Sequence, residues 1–141
     1  MKFIIAITLS ILLSASEVNL HQIKILETIM TKISLNSEVI IWSSSTNILS
    51  ELKKRNHLKI SNYCKDAKIL ILENNKNLSK ECLDKSIFVL DYKLLSDIPK
   101  SFGALFWKKG RPNIVILEAR IKAQNIRITQ ELEPYVEEKI W

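Results

Sequence analysis

Three short runs of nearly continuous apolar residues constrain the fold of this chain most strongly. The runs are EVIIW, AKILIL and SIFVLDY, at residues 38–42, 67–72 and 86–92. Each has the length of a strand and is too uniformly apolar to face water on one side. Segments of helical character separate them, so the sequence predicts an α/β fold with a mostly parallel sheet that helices cover on both faces.

Apolar side chains at three- and four-residue spacing predict the helices. The spacing is clearest in residues 17–34, where Leu20 begins the apolar stripe, and it recurs in residues 47–55. Ser45 or Thr46 can cap the start of the second helix. The other expected elements of this part are a short strand, a short helix and a helical turn, at residues 58–61, 78–85 and 93–97.

The last third of the chain predicts an antiparallel edge to the sheet. Two expected strands, FGALFW and NIVIL, are joined by the short connection KKGRP. Such a connection is typical of a hairpin, in which Lys108 and Lys109 occupy the turn and Gly110 takes the left-handed conformation. Pro112 then belongs at an edge or a bulge, because proline has no N–H to donate.

Two helices are expected after this hairpin. EARIKAQN predicts the first, with Asn125 as its C-cap. ITQELEPYVEEKIW predicts the second, because Thr129 can cap its start and acidic residues follow in its first turn. The terminal Trp141 is expected to pack back on the domain, although it would also suit exposure to a partner. No repeat or linker interrupts residues 17–141, which we interpret as one domain.

Residues 1–16, MKFIIAITLSILLSAS, have the layout of a secretory signal peptide. Lys2 precedes an apolar run from Phe3 to Leu13, and the small residues that follow favour cleavage after Ser16. This run is shorter than the roughly 20 residues that a membrane-spanning helix needs, although an uncleaved anchor is the alternative. We therefore predict a periplasmic protein whose mature chain has no membrane span.

The basic charge of the chain points to acidic partners. Without Lys2 the formal net charge falls from +6 to +5. In a cytosolic protein this balance would suggest nucleic acid, which an exported protein rarely meets. The expected partner is therefore an inner-membrane or envelope protein, and we also consider a second copy of this chain.

The chain has two cysteines, Cys64 and Cys82. An even number in an exported protein suggests one disulfide, which would add roughly 3 kcal/mol by constraining the unfolded chain. The alternative is a pair of buried free thiols. Neither cysteine lies in a CxxC motif, and the two histidines, His21 and His57, do not complete a ligand set. We therefore predict no metal and no cofactor.

The residues around the hairpin turn are the first candidate site. Trp107, Lys108, Lys109 and Arg111 would form a basic contact surface with an aromatic side chain beside it. The alternative is a charged tip that only discourages edge-to-edge association of strands. A phosphate-binding loop is not expected here, because such loops lead from a strand into a helix and a strand follows this one.

The segment SSSTN is the second candidate, because it does join a strand to a helix. Its side chains are those of Ser43, Ser44, Ser45 and Thr46. Their hydroxyls and the free amides of the helix start would hold a phosphate or a carboxylate. The alternative is a helix start that is capped and binds nothing.

Acid–base catalysis needs titratable groups that converge. Asp91 and Glu118 each follow a predicted strand, but neither has an evident partner in the sequence, and acidic residues at strand ends are mostly caps. No nucleophile motif is present either. We therefore predict that the protein is not an enzyme.

From Cys64 onward the order of these features resembles the YfiR-like family of periplasmic proteins. That family has a signal peptide and a helix, then a cysteine before an apolar strand and a second apolar strand. CKDAKILIL and SIFVLDY look like those sections, and FGALFWKKGRPNIVILEARIKAQNIRIT looks like the family's glycine-containing strand, turn, strand and helix. The resemblance covers roughly residues 60–133. Leu117 stands where the family usually has Asn, and Asn125 where it usually has Gly.

The resemblance implies regulation by protein contact. The family's named member is a periplasmic repressor that binds the periplasmic part of a membrane-bound diguanylate cyclase, and its disulfides matter for its stability. This chain would then regulate or support an inner-membrane or envelope partner, with Cys64 and Cys82 keeping the fold rigid. The alternative is a small periplasmic ligand-binding module with its site at Ser43–Asn47.

Overall fold

The computed structural model describes residues 19–76 and 78–140. The predicted signal peptide and Trp141 lie outside the described residues. The α-helices of the described part are α1 (Leu20–Thr31), α2 (Thr46–Lys53), α3 (Leu94–Asp97) and α4 (Glu118–Ala123). Its strands are β1 (Ile33–Ser34), β2 (Ile40–Ser43), β3 (Lys59–Ile60), β4 (Ile69–Leu72), β5 (Ser86–Val89), β6 (Ser101–Lys108), β7 (Arg111–Leu117), β8 (Arg127–Ile128) and β9 (Val136–Glu137). Short 3-10 helices cover Cys64–Asp66, Lys80–Cys82 and Gln130–Tyr135.

Seven of these strands form one sheet, in the order β3-β2-β4-β5-β6-β7-β9. The strands from β3 to β6 run parallel to one another, β7 is antiparallel to β6, and β9 is parallel to β7. A separate antiparallel pair joins β1 to β8. The predicted α/β class, the mostly parallel sheet and the antiparallel hairpin are confirmed.

Strand β4 lies at the centre of the core, because all of its residues are buried. Ile69 and Ile71 belong to the cluster on the face that α1 and α2 cover. Leu70 and Leu72 belong to the cluster on the opposite face, where α3 contributes its buried leucines. The predicted stripe of α1 is confirmed at four positions, Ile23, Leu26, Ile29 and Met30. Leu20, in the first turn of α1, is instead 60% exposed.

The hairpin between β6 and β7 turns through two residues, Lys109 and Gly110, whose φ angles are 52° and 75°. The left-handed position predicted for Gly110 is confirmed. Lys108 was expected in the turn, but it is the last residue of β6 and pairs with Arg111. Pro112 pairs with Trp107, next to the closing pair of Lys108 and Arg111. Hydrogen-bonded and non-hydrogen-bonded pairs alternate in an antiparallel ladder, and this second pair is a non-hydrogen-bonded one. The missing N–H of Pro112 therefore costs no bond to β6.

Helix α4 ends in the left-handed cap that its sequence predicts. Asn125 has a φ of 56°. Its N–H donates to the Lys122 carbonyl at 3.3 Å, and the Ile126 N–H donates to the Ile121 carbonyl at 2.8 Å. These two bonds make a Schellman motif, which satisfies carbonyls that the last turn would otherwise leave free.

The prediction of a final helix from Thr129 is wrong. Residues Gln130–Tyr135 form a 3-10 helix, and Val136–Glu137 form β9. Pro134 lacks the N–H that would continue an α-helix. The carboxyl half of β7 also has an unpaired edge, which β9 fills by pairing Val136 with Ile116. β7 is therefore the edge strand of the sheet only in its amino half, because β9 lies beside its carboxyl half.

A partly buried arginine locks the junction between α3 and β6. The Arg120 Nη1 atom lies 2.7 Å from the Leu95 carbonyl, 2.8 Å from the Ser101 carbonyl and 3.0 Å from the Ser101 hydroxyl. The Ser101 hydroxyl in turn donates to the Ile98 carbonyl at 2.6 Å. Loss of solvation on burial lowers the pKa of the Arg120 guanidinium, which these carbonyl dipoles keep in place.

The predicted pairing of Cys64 with Cys82 is present as a disulfide, with 5.9 Å between the Cα atoms. It ties the 3-10 helix Cys64–Asp66 to the 3-10 helix Lys80–Cys82. This second turn is all that forms of the helix expected over residues 78–85. Since Cys82 is fully buried and Cys64 is partly exposed, the bond connects the surface to the core on the α3 face.

Replacing Gly103 by alanine should destabilise the fold by about 1–3 kcal/mol, because an added methyl group overpacks a dense core. A Cβ atom at Gly103 would lie 2.8 Å from the Val115 carbonyl oxygen and 3.0 Å from the Phe88 ring. Urea unfolding of Gly103→Ala measures this change. Gly110→Asn is the control, because nothing lies within 4 Å of a Cβ there and asparagine tolerates a positive φ. Equal costs at the two glycines would contradict the steric argument.

Reduction of the disulfide should lower the free energy of unfolding by about 3 kcal/mol. The bond closes a loop between two cysteines that are 18 positions apart in the sequence, and the unfolded chain regains the entropy of that loop when the bond is broken. The measurement is urea unfolding of the exported protein with and without dithiothreitol. The double variant Cys64→Ser/Cys82→Ser should match the reduced protein and should not respond to the reductant. Identical unfolding curves for the oxidised and reduced wild type would overturn the expectation.

Candidate functional site

The structure brings both predicted sites to one edge of the sheet. The carboxyl ends of parallel strands share an edge, so Ser43 at the end of β2 and Lys108 at the end of β6 lie on the same side. Two strands separate β2 from β6. At roughly 4.8 Å per strand, β2 and β6 are about 14 Å apart. The register places Ser43 level with Gly103, and Lys108 lies five residues further along β6, or about 17 Å at roughly 3.3 Å per residue. The two segments therefore do not form one site.

The serine segment lies at the point where the strand order reverses. The chain passes from β2 outward to β3 and then returns to β4 on the other side of β2. In open α/β sheets ligands bind beside such a switch point, at the carboxyl ends of the strands. The position of Ser43–Thr46 therefore suits a ligand site.

The hydroxyls of this segment are already engaged, however. Ser43 is only 2% exposed, and its Oγ donates to the Ile71 carbonyl at 2.9 Å while it accepts from the Ser45 N–H at 3.2 Å. Ser45 is the N-cap of α2, with its side chain accepting from the Ile48 N–H at 3.2 Å. The cap prediction is confirmed at Ser45. Of the four hydroxyl-bearing residues, only Ser44 and Thr46 are exposed.

The basic hairpin tip, which we define as Lys108, Lys109 and Arg111, is exposed at all three positions. Trp107 precedes it and is 43% exposed. The Trp107 ring lies 5.7 Å from the ring of His21, in the first turn of α1, at an interplanar angle of 41°. The tip therefore projects from a rigid hairpin, and α1 supports the tryptophan from one side.

An aromatic cleft, which we define by Tyr92, Phe106 and Trp107, adjoins the hairpin tip. The rings of Tyr92 and Phe106 are 5.0 Å apart and tilted by 59°. All three residues line a cavity of about 570 Å³ that also involves Asn113 and Val115. They also line a second cavity, of about 560 Å³, to which Glu73, Leu90, Asp91, Lys93 and Gln22 contribute. The cleft is thus open on both sides of the end of β6.

Sequence reasoning missed the two other aromatic residues of this cleft. Phe106 was assigned to a strand, and Tyr92 to the end of another strand. Alternation along β6 places Phe106 and Trp107 on opposite faces, and only the parallel register of β5 with β6 brings Tyr92 beside Phe106. The exposed end of a strand that carries adjacent aromatic residues was the available signal.

The acidic residues at strand ends do not converge. The Asp91 side chain accepts from the Lys93 N–H at 3.1 Å, as a turn cap does. Glu118 lies 2.6 Å from Lys122 one turn later in α4, and this hydrogen bond raises the pKa of Lys122. Both residues therefore have local roles in the fold.

Within residues 19–76 and 78–140, no group of three or more His, Cys, Asp or Glu side chains is arranged to hold a metal ion. In the same residues, every helix is too short or too polar to cross a bilayer.

The sequence matches no protein-family model and no curated protein.

Iodide should quench the fluorescence of Trp107 more efficiently than caesium does at low salt. The indole is exposed, and three cations within about one Debye length concentrate anions around it. The measurement is the difference in quenching between the wild type and Trp107→Phe. Trp42→Phe is the control, because Trp42 is half-buried and its Nε1 donates to the Asn62 carbonyl at 3.2 Å. Equal quenching of Trp107 by both ions would contradict this picture of the tip.

Proposed function

We propose that this protein is a non-enzymatic periplasmic protein that regulates or supports an inner-membrane or envelope protein by direct contact. The observation that carries the proposal is the half-exposed Trp107, which belongs to the aromatic cleft and adjoins the basic hairpin tip. Tryptophan, tyrosine and arginine are the residues that most often dominate binding energy at protein interfaces. Here Trp107 and Arg111 lie at one end of the hairpin, and Tyr92, which follows β5, packs beside it against Phe106.

The shape of this surface supports a protein partner. The aromatic cleft offers a concave anchor point, which a side chain of the partner would fill, and the three cations of the tip would form a polar rim. Rim charges mainly accelerate association and select against partners of like charge. A partner with an acidic surface is therefore favoured.

The compartment and the family resemblance support the proposal independently. The leader-like start of the chain and the Cys64–Cys82 disulfide fit an oxidising compartment outside the cytoplasm. The resemblance to YfiR-like proteins adds regulation of a membrane-bound enzyme as the expected role. Under this proposal the disulfide serves rigidity.

A small-ligand module with its site at Ser43–Asn47 is the second candidate. One observation favours it, namely the position of this segment at the switch point between β2 and β4. Because Ser43 and Ser45 bond within the fold, Ser44 and Thr46 would contact the ligand. The variants Ser44→Ala and Thr46→Ala should abolish a ligand-induced rise in melting temperature and leave partner capture intact. If capture of a protein partner instead depended on Ser44 and Thr46, this would argue against a partner contact at the hairpin tip.

Removing the basic hairpin tip should abolish partner capture. The experiment is affinity capture of the tagged, exported protein from gently solubilised envelopes, with and without crosslinking. The variant carries Lys108→Ala, Lys109→Ala and Arg111→Ala, and a second variant carries Trp107→Ala. Loss of a dominant contact costs at least about 2 kcal/mol, or roughly thirtyfold in affinity. Each variant should therefore recover little of a partner that the wild type recovers.

The matched control removes the same charge elsewhere. It carries alanine at three exposed lysines outside the hairpin, Lys76, Lys80 and Lys100. This variant should recover the partner as the wild type does. If both triple variants lost the partner equally, the loss would be due to the lower net charge and not to the hairpin tip. Recovery of no partner by the crosslinked wild type would refute the proposal.

A further inference from the structure

A second concave surface lies on the face of the sheet that α1 covers, and it reaches the surroundings of Trp107 at His21. It is a groove of about 510 Å³ between α1 and the 3-10 helix Gln130–Tyr135. Lys32, the residue that follows α1, forms an ion pair with Glu131 at 2.5 Å. This ion pair joins the end of α1 to the start of the 3-10 helix at one end of the groove. His21 and Tyr135 line the groove towards the other end. We call this surface the α1 groove.

The floor of the α1 groove is apolar. Ile29 and Leu132 are buried in the core cluster on this face of the sheet, and Ile25 and Ile114 pack against that cluster while they remain partly exposed. All four side chains line the groove. A ligand that covers them would remove apolar surface from water, which is the main driving force for binding in such a groove.

The charges of the α1 groove are unequal at its two ends. Lys32 and Glu131 neutralise each other where the groove is closed. Lys24 lines the groove two turns earlier in α1, and among the described residues it belongs to no ion pair. Lys24 and Lys32 are eight positions apart in the sequence, which corresponds to about 12 Å along a helix. The groove thus has one free cation, an apolar floor and a neutral closed end.

We propose that the α1 groove binds a single-chain amphiphile with one carboxylate, its head at Lys24 and its chain along Ile25, Ile29 and Ile114. An extended chain of about ten carbons matches the length from Lys24 to Lys32. A purely polar anion would leave the apolar floor uncovered, and a neutral chain would leave Lys24 unmatched. This inference does not rest on the proposed function.

His21 connects this groove to the surface around Trp107. It lines the α1 groove, and its ring lies 5.7 Å from the ring of Trp107. A ligand head at Lys24 would lie about one helical turn from His21, so we expect its binding to change the surroundings of Trp107. The fluorescence change of Trp107 on ligand binding is therefore a readout of the site that needs no partner protein.

The test is a titration of the isotopically labelled exported protein with decanoate, and in parallel with decanol, below the concentration at which decanoate forms micelles. Decanoate should shift the amide signals of α1 and residues 130–135 with saturation, and decanol should bind at least tenfold more weakly. Lys24→Ala should weaken decanoate binding about tenfold and leave decanol binding unchanged. Thr28→Trp, at an exposed position inside the groove, should block both.

Two controls keep the outcome clear. Lys76→Ala removes an exposed cation elsewhere and should bind decanoate as the wild type does. Melting curves show whether Thr28→Trp is folded, and the map of shifts on the wild type does not depend on any variant. Shifts that centre on the aromatic cleft, or saturation by decanol as tight as by decanoate, would overturn the proposal. A dimer whose interface protects α1 would overturn it as well, because a second copy would then cover the groove.

Discussion

The double-sided burial of β4 is the constraint on which the rest of the structure depends. Ile69 and Ile71 face one cluster, while Leu70 and Leu72 face the other, so neither face of the sheet can remain in water. Each face therefore needs cover. Helices α1 and α2 supply it on one side, and α3 with the disulfide-linked turns supplies it on the other. The neighbouring strands are parallel, so their connections must cross a face of the sheet and can carry this cover.

The two binding surfaces that we propose lie where the helices stop covering the sheet. Beyond α3 the sheet face around Phe106 is only partly covered, and the aromatic cleft opens there. The hairpin carries Trp107 past the last buried residue, Leu105, and three cations keep its tip in solvent. On the other face, α1 and the 3-10 helix Gln130–Tyr135 leave a groove above Ile114. The two surfaces meet at His21, so ligand binding on one face can change the surroundings of Trp107 on the other.

The sequence predicted most elements correctly because local signals were strong. The apolar runs became β2, β4 and β5, Ser45 became a cap, and Gly110 took the positive φ that a tight hairpin requires. The final helix failed because its apolar and acidic spacing fits a helix, whereas Pro134 and the unpaired edge of β7 favour a 3-10 turn and a short strand. The serine segment was located correctly, but its internal hydrogen bonds depend on Ile71, a residue of another strand.

The sequence by itself determined the α/β class, the hairpin with its basic tip and the pair of cysteines available for a disulfide. These properties depend on periodicity, turn chemistry and residue type, which are local. Only the tertiary structure decided that Tyr92 lies against Phe106, that His21 supports Trp107, and that Arg120 joins α3 to β6. Such contacts depend on strand order and register. Both are set by the packing of the whole sheet, since many pairings of these short strands would satisfy the same local pattern.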